Sequence, residues 1–281
     1  MIPAEFEYVV PETLDDAVRA LTEREDAKLL AGGHSLLPLM KLRLAAPATL
    51  VDLRKIPGLR GVQRENGAWR IGAMTRHADL QERTDLGLIA SATSLIADQQ
   101  VRNRGTIGGS LAHGDPASDL PTVLLTLEGT VTATGPDGRQ RQIPAAELFQ
   151  DYLTTAVADD EVLTEIHVPA LEGWGHGYEK FTRRSEDWAM VGVCALVQKA
   201  PDGSCQDVRV GLTNMGSTPL RARAVEDALR GAALDSVSIE AAASHADAGT
   251  EPAGDLNATS DYKRHLARVL TARALKEAAA A

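Results

Sequence analysis

Ala31-Gly32-Gly33-His34-Ser35 and Gly105-Thr106-Ile107-Gly108-Gly109-Ser110 repeat one local design, an adjacent glycine pair with a serine next or next but one. Adjacent glycines remove two Cβ atoms from a turn, so successive backbone N–H groups can converge on one anion. A diphosphate suits such a clasp. Either pair alone reads better as a tight turn; two of them point to one ligand held between two units. The commoner nucleotide motifs are missing. No G-x-G-x-x-G links a strand to a helix, and no G-x-x-x-x-G-K-[ST] occurs, which leaves a less common dinucleotide fold. Beyond the second loop stands Asp119, placed either to accept from ribose hydroxyls or to cap the helix that Pro121 opens.

Outward from these loops the chain divides into three units. Over 1–58, Thr13 with Asp16 marks the start of a helix carrying Leu14, Ala17, Val18 and Leu21 on one face. Lys28-Leu29-Leu30 is a strand running straight into the first glycine pair, and a strand over 49–53 ends at Ile56-Pro57-Gly58. Over 59–170 come a strand pair around Glu65-Asn66-Gly67, helices from Thr75 and over 86–97, and the second glycine loop. An apolar helix over 123–127, a hairpin turned by Pro136-Asp137-Gly138, and a strand over 162–168 complete that unit. Over 171–281, Gly173-Trp174-Gly175-His176-Gly177 reads as a flexible connection, followed by strands at 178–182, 190–198 and 208–213. From Leu220 the chain reads as helix, broken at 250–255. Its last helix places Tyr262, Leu266, Val269 and Leu270 on one stripe, and the terminal alanines should fray.

Composition narrows the function. With 281 residues and 44% hydrophobic side chains, the chain can bury a sizeable core. A net charge of −10 argues against nucleic acid or anionic lipid as partners. The N-terminus lacks the pattern of an export signal, and no apolar run is long enough for a membrane span, so the expected location is cytoplasmic. Cys194 and Cys205 are too few for an iron–sulfur cluster or a disulfide framework. Only 3 Trp, 4 Tyr and 3 Phe are available for stacking, so a planar ligand must be held by backbone and aliphatic groups.

Two long stretches carry a resemblance: 31–41, AGGHSLLPLMK, and 100–116, QVRNRGTIGGSLAHGDP, with weaker echoes at Asp160-Glu161-Val162-Leu163 and Arg184-Ser185-Glu186-Asp187-Trp188-Ala189. In these the chain resembles, essentially end to end, the FAD-binding medium subunit of the molybdenum-containing hydroxylases, the group of aerobic carbon monoxide dehydrogenase and xanthine dehydrogenase. The resemblance implies an α+β chain: a two-subdomain FAD-binding fold of the vanillyl-alcohol-oxidase (PCMH) type, then a smaller domain with a three-stranded antiparallel sheet and helices. It implies FAD between the first two units, along Leu29, Leu30, Ala31, Gly32, Gly33, His34, Ser35 and Leu36, and along Thr106, Ile107, Gly108, Gly109 and Ser110, with the diphosphate on the two glycine turns. It sets Asp119 beside the adenosine part, Ile96 and Leu163 against the flavin or adenine, and Lys180 near the polar edge of the isoalloxazine. Ser110 stands where Asn or Asp is common in the family.

By the same resemblance, the [2Fe–2S] clusters belong to a small partner subunit and the molybdenum cofactor to a large one, in a dimer of heterotrimers. Electrons would reach the flavin from the clusters and leave to quinone, NAD, oxygen or another external acceptor. Two other readings compete. A stand-alone flavin oxidase of the same fold would turn over substrate unaided, and a metal-dependent hydrolase would draw ligands from His113, Asp115 and Asp119.

Overall fold

Thr13 starts the first helix, Leu14–Glu23, as its spacing to Asp16 predicts. The hydroxyl oxygen of Thr13 accepts the Asp16 N–H at 3.1 Å, while the hydroxyl donates to the Asp16 carboxylate at 2.7 Å. Ala17, Val18 and Ala20 of this helix pack with Val51, Leu53 and Ile56. In the computed structural model, which describes residues 2–281, that helix covers a parallel three-stranded sheet ordered Glu7–Val9, Thr49–Asp52, Ala27–Leu30. The strand Ala27–Leu30 delivers the chain directly into the first glycine turn.

The next unit is a five-stranded antiparallel sheet in the order Val62–Glu65, Ala68–Gly72, Val162–Pro169, Thr130–Thr134, Gln140–Pro144. Trp69, Ile71, Val131, Ala133, Ile166 and Val168 share one core with the helices Leu88–Ser94, Ile107–His113 and Asp119–Thr126. The helix expected over 86–97 is shorter because Gly87 (φ 52°) and Ala97 (φ 42°) leave helical geometry at its two ends.

The third unit departs from expectation in three ways. Its antiparallel sheet has four strands, not three: Trp174–Phe181, Val191–Lys199, Cys205–Thr213 and the two-residue Leu220–Arg221, which is too short to show alternation. Secondly, 174–177 is the start of a strand and not a flexible link. Gly175 and Gly177 lie beneath the helix Ser260–Ala280, where a Cβ would run into the carbonyls of Ala278 and Ala274. The glycines are there to let a helix backbone approach a strand. Thirdly, the alanine-rich end of that helix is packed: Ala274, Leu275 and Ala278 are buried, whereas Tyr262 is 43% exposed and lies off the buried stripe of Lys263, Leu266, Ala267 and Leu270.

The central strand Val191–Lys199 is buried on both faces. Val191, Val193, Ala195 and Val197 face the unit's own helices, while Cys194 and Leu196 join the core of the preceding unit. The edge strand Trp174–Phe181 follows the same alternation, so Tyr178 and Lys180 point toward the middle unit. Gly177→Val should therefore lower folding stability by about 3 kcal/mol or more. Denaturant unfolding checks this, and a change under about 1 kcal/mol would contradict the packing.

Candidate functional site

All three units line one cleft of about 690 Å³, within the size range of small-molecule sites. Its floor is the meeting of the two glycine turns. A Cβ at Gly32 would lie 2.5 Å from the Arg104 carbonyl oxygen and 2.7 Å from the Gly105 Cα, so these turns touch backbone to backbone. Gly33 has φ 81°, the left-handed region that a non-glycine residue rarely adopts. The turn leads into the helix Leu36–Lys41, in which Leu37 donates to the Gly33 carbonyl at 3.0 Å. Among the described residues, the backbone N–H groups of Gly32, Gly33, His34 and Ser35 donate to no protein acceptor. They form an open set of donors at the cleft.

The second turn is arranged differently. Ile107 N–H donates to the Thr75 carbonyl at 3.1 Å, Gly108 N–H to Ala73 at 2.9 Å, and Gly109 N–H to the Thr106 hydroxyl oxygen at 3.1 Å. What it offers the cleft is the hydroxyl groups of Thr106 and Ser110 rather than a row of N–H groups. His77 supports this turn from below, its N–H donating to the Gly105 carbonyl at 2.9 Å. The His77 imidazole is 5% exposed, and burial, with His34 and Arg102 nearby, pushes its pKa down to about 4.

At another part of the cleft, Lys180 donates to Asp119 Oδ2 at 3.0 Å and to the Leu95 carbonyl at 3.0 Å, and the Tyr178 hydroxyl donates to Asp119 Oδ1. Burial raises the Asp119 carboxyl above the usual range against the pull of the Lys180 ammonium, and raises the Tyr178 phenol as well. The ion pair is thus sealed on the protein side and open to the cleft only through Lys180 and the Asp119 edge.

Residues 4–171 match the family described as the FAD binding domain in molybdopterin dehydrogenase, and residues 176–278 match the CO dehydrogenase flavoprotein C-terminal domain. The carbon monoxide dehydrogenase medium chain of Hydrogenophaga pseudoflava is 44% identical over 284 residues, covering 99% of this chain and 98% of that protein. This chain belongs to the FAD-binding medium subunits of the molybdenum hydroxylases. Another such relative, the 6-hydroxypseudooxynicotine dehydrogenase complex subunit alpha of Paenarthrobacter nicotinovorans, is 37% identical across 99% of this chain and 96% of its own length. The solved carbon monoxide dehydrogenase of Hydrogenophaga pseudoflava that lacks the Mo-pyranopterin moiety superimposes with a TM-score of 0.95 at 45% identity, covering 100% of this chain and 99% of that one.

Against the residues expected for a medium subunit, Leu29, Ala31 to Leu36, Ile96, Thr106, Gly108, Gly109, Ser110, Asp119, Leu163 and Lys180 all line the cleft. Leu30 and Ile107 do not. Strand alternation turns Leu30 away from Leu29, and Ile107 is a 3% exposed member of the central core. Asp119 does not cap its helix; its carboxylate is taken by Lys180 and Tyr178. The resemblance sets Asp119 and Lys180 along different parts of one dinucleotide, whereas the fold joins them in a single ion pair. The hydrolase reading fails on geometry: the described residues hold no metal-competent group of His, Cys, Asp and Glu, and Asp115 is turned to the Ala117 N–H at 2.8 Å. Sequence reasoning missed His77 and Tyr178. Tyr178 was accessible through alternation, two residues from Lys180 on the same strand face; His77 carried no such signal.

His77 gives the site a pH signature. Its folded-state pKa of about 4 lies below the ordinary 6.5, so its contribution is present above pH 6.5 and is lost as pH falls toward 4. Unfolding free energy should drop by about 3 kcal/mol across that window. In His77→Gln that part of the slope should vanish, as denaturant titrations at a series of pH values will show.

Proposed function

We propose that this chain is the FAD-carrying electron-transfer subunit of a molybdenum hydroxylase, taking electrons from a partner and passing them to an external acceptor. The observation that carries the reading is the open row of backbone N–H groups at 32–35, set in a cleft that also offers the Thr106 and Ser110 hydroxyls. A dinucleotide needs donors converging on its diphosphate and an apolar wall for its ring, and both are present: Leu29, Leu36, Ile96 and Leu163 provide the wall. Bound FAD supplies the redox chemistry, accepting two electrons and releasing them singly or together. The residues of this chain supply position and charge. Gly32 to Ser35 hold the diphosphate, Ser110 reaches it through its hydroxyl, and Lys180 presents a cation to the polar edge of the isoalloxazine. Asp119 then serves as the counter-ion that fixes Lys180, with Tyr178 behind it.

The cofactors of the assembled enzyme divide as the cysteines suggest. Cys194 and Cys205 are both buried, burial pushes both thiols up, that of Cys205 to about 11, and they stand in separate cores. Neither suits a cluster ligand, which agrees with the division that membership of the family implies: [2Fe–2S] clusters on a small subunit and the molybdenum cofactor on a large one, in a dimer of heterotrimers. Among the described residues no helix is long and apolar enough to cross a membrane, which is compatible with a cytoplasmic complex. The division 1–58, 59–170 and 171–281 is supported by the three larger sheets, which fall one to each unit.

Denaturing the purified chain should release FAD near one per polypeptide with neither iron nor molybdenum, measured by chromatography and elemental analysis. The isolated subunit should show no hydroxylation of any organic substrate. A colourless chain that also fails to take up added FAD would overturn the reading.

A further inference from the structure

Three buried side-chain nitrogen or oxygen atoms lack a hydrogen-bond partner among the described residues, and two of them, His77 Nδ1 and Arg102 Nε, belong to neighbouring groups. A buried polar atom without a partner carries a desolvation cost, so its persistence beside a ligand cleft asks for a function. Arg102 is otherwise committed: Nη1 donates to the carbonyls of Ile96 at 2.7 Å and Ala97 at 2.9 Å, and Nη2 reaches Gln99 Oε1 at 3.4 Å. A guanidinium can only donate. Nδ1 has no acceptor within reach, so the single proton of the neutral ring is assigned to Nε2.

The Nε2 edge lies at the junction of the two turns. A Cβ at Gly105 would come within 2.8 Å of Nε2 and 2.6 Å of Cδ2, so glycine at 105 leaves room for the ring, and Gly105 is also the residue on which Gly32 rests. The imidazole lines the cleft there, beside the uncommitted N–H groups of 32–35 and apart from the Asp119–Lys180 pair. We propose that His77 is a cofactor-binding residue, its Nε2–H donating to an oxygen of the FAD diphosphate from beneath the two glycine turns. The assignment rests on the FAD reading and adds a side-chain donor to the turns.

The test is titration of the flavin-depleted full chain with FAD and, as a diphosphate probe without the flavin ring, with ADP, for the wild type, His77→Leu, His77→Gln and His77→Asn. His77→Leu should weaken both ligands by roughly tenfold, the scale of one lost hydrogen bond to a charged group. Gln, whose amide N–H reaches the Nε2 position, should retain most of the affinity, and Asn, which reaches only the Nδ1 position, should not. The Gln and Asn comparison decides the matter even where Leu prevents folding. FAD and ADP affinities within twofold of wild type in both His77→Asn and any folded His77→Leu chain, or equal losses in Gln and Asn, would overturn the assignment while leaving the cofactor reading intact. Failure of the wild-type chain to bind FAD at all would overturn both.

Discussion

The structure depends on a backbone-to-backbone contact. Gly32, at the end of a strand in the first unit, rests on Arg104 and Gly105 in the second, at a distance that no Cβ would permit. Because interiors are packed without slack, this contact fixes the spacing of the two turns, and with it the width of the cleft between them. Gly108 has a similar role one layer deeper, where a Cβ would lie 2.5 Å from that of Ala73. The glycines of the site thus serve protein-to-protein approach first. Only Gly33, with its left-handed backbone, bends the chain so that successive N–H groups face outward together.

This arrangement divides the labour between the turns. The first leaves its N–H groups without protein acceptors and so supplies donors, whereas the second consumes its own in bonds to Ala73, Thr75 and Thr106 and supplies rigidity and hydroxyls. The third unit contributes Lys180, fixed by a buried carboxylate from the second unit, so the ion pair also ties the two units together. Removing either partner would leave the other buried and uncompensated, which is far more damaging than losing a surface pair.

Much of this was legible in the sequence. The paired glycines, the Thr13 cap, the hairpin turns and the alternation of the central strands each rest on local chemistry within a few residues, and each appears where that chemistry puts it. What was illegible depends on partners distant along the chain. Gly175 and Gly177 look like a linker until the helix that needs them arrives about a hundred residues later. Asp119 and Lys180 give no sign of each other across 61 residues, and Ser110 and Thr106 look like turn formers until the N–H groups around them are found to be occupied. Leu30 and Ile107 stand beside the motifs without lining the cleft, because proximity to a motif does not say which way a side chain points.

The central claim is that the cleft exists because the two glycine turns touch, and the most direct measurement is made on Gly32→Ala in both flavin-free and flavin-loaded forms. Thermal unfolding of the flavin-free chain should fall, because the added methyl group meets Arg104 and Gly105 and not a ligand, and the purified chain should carry little FAD. Unchanged melting of the flavin-free chain together with a full complement of FAD would contradict the account.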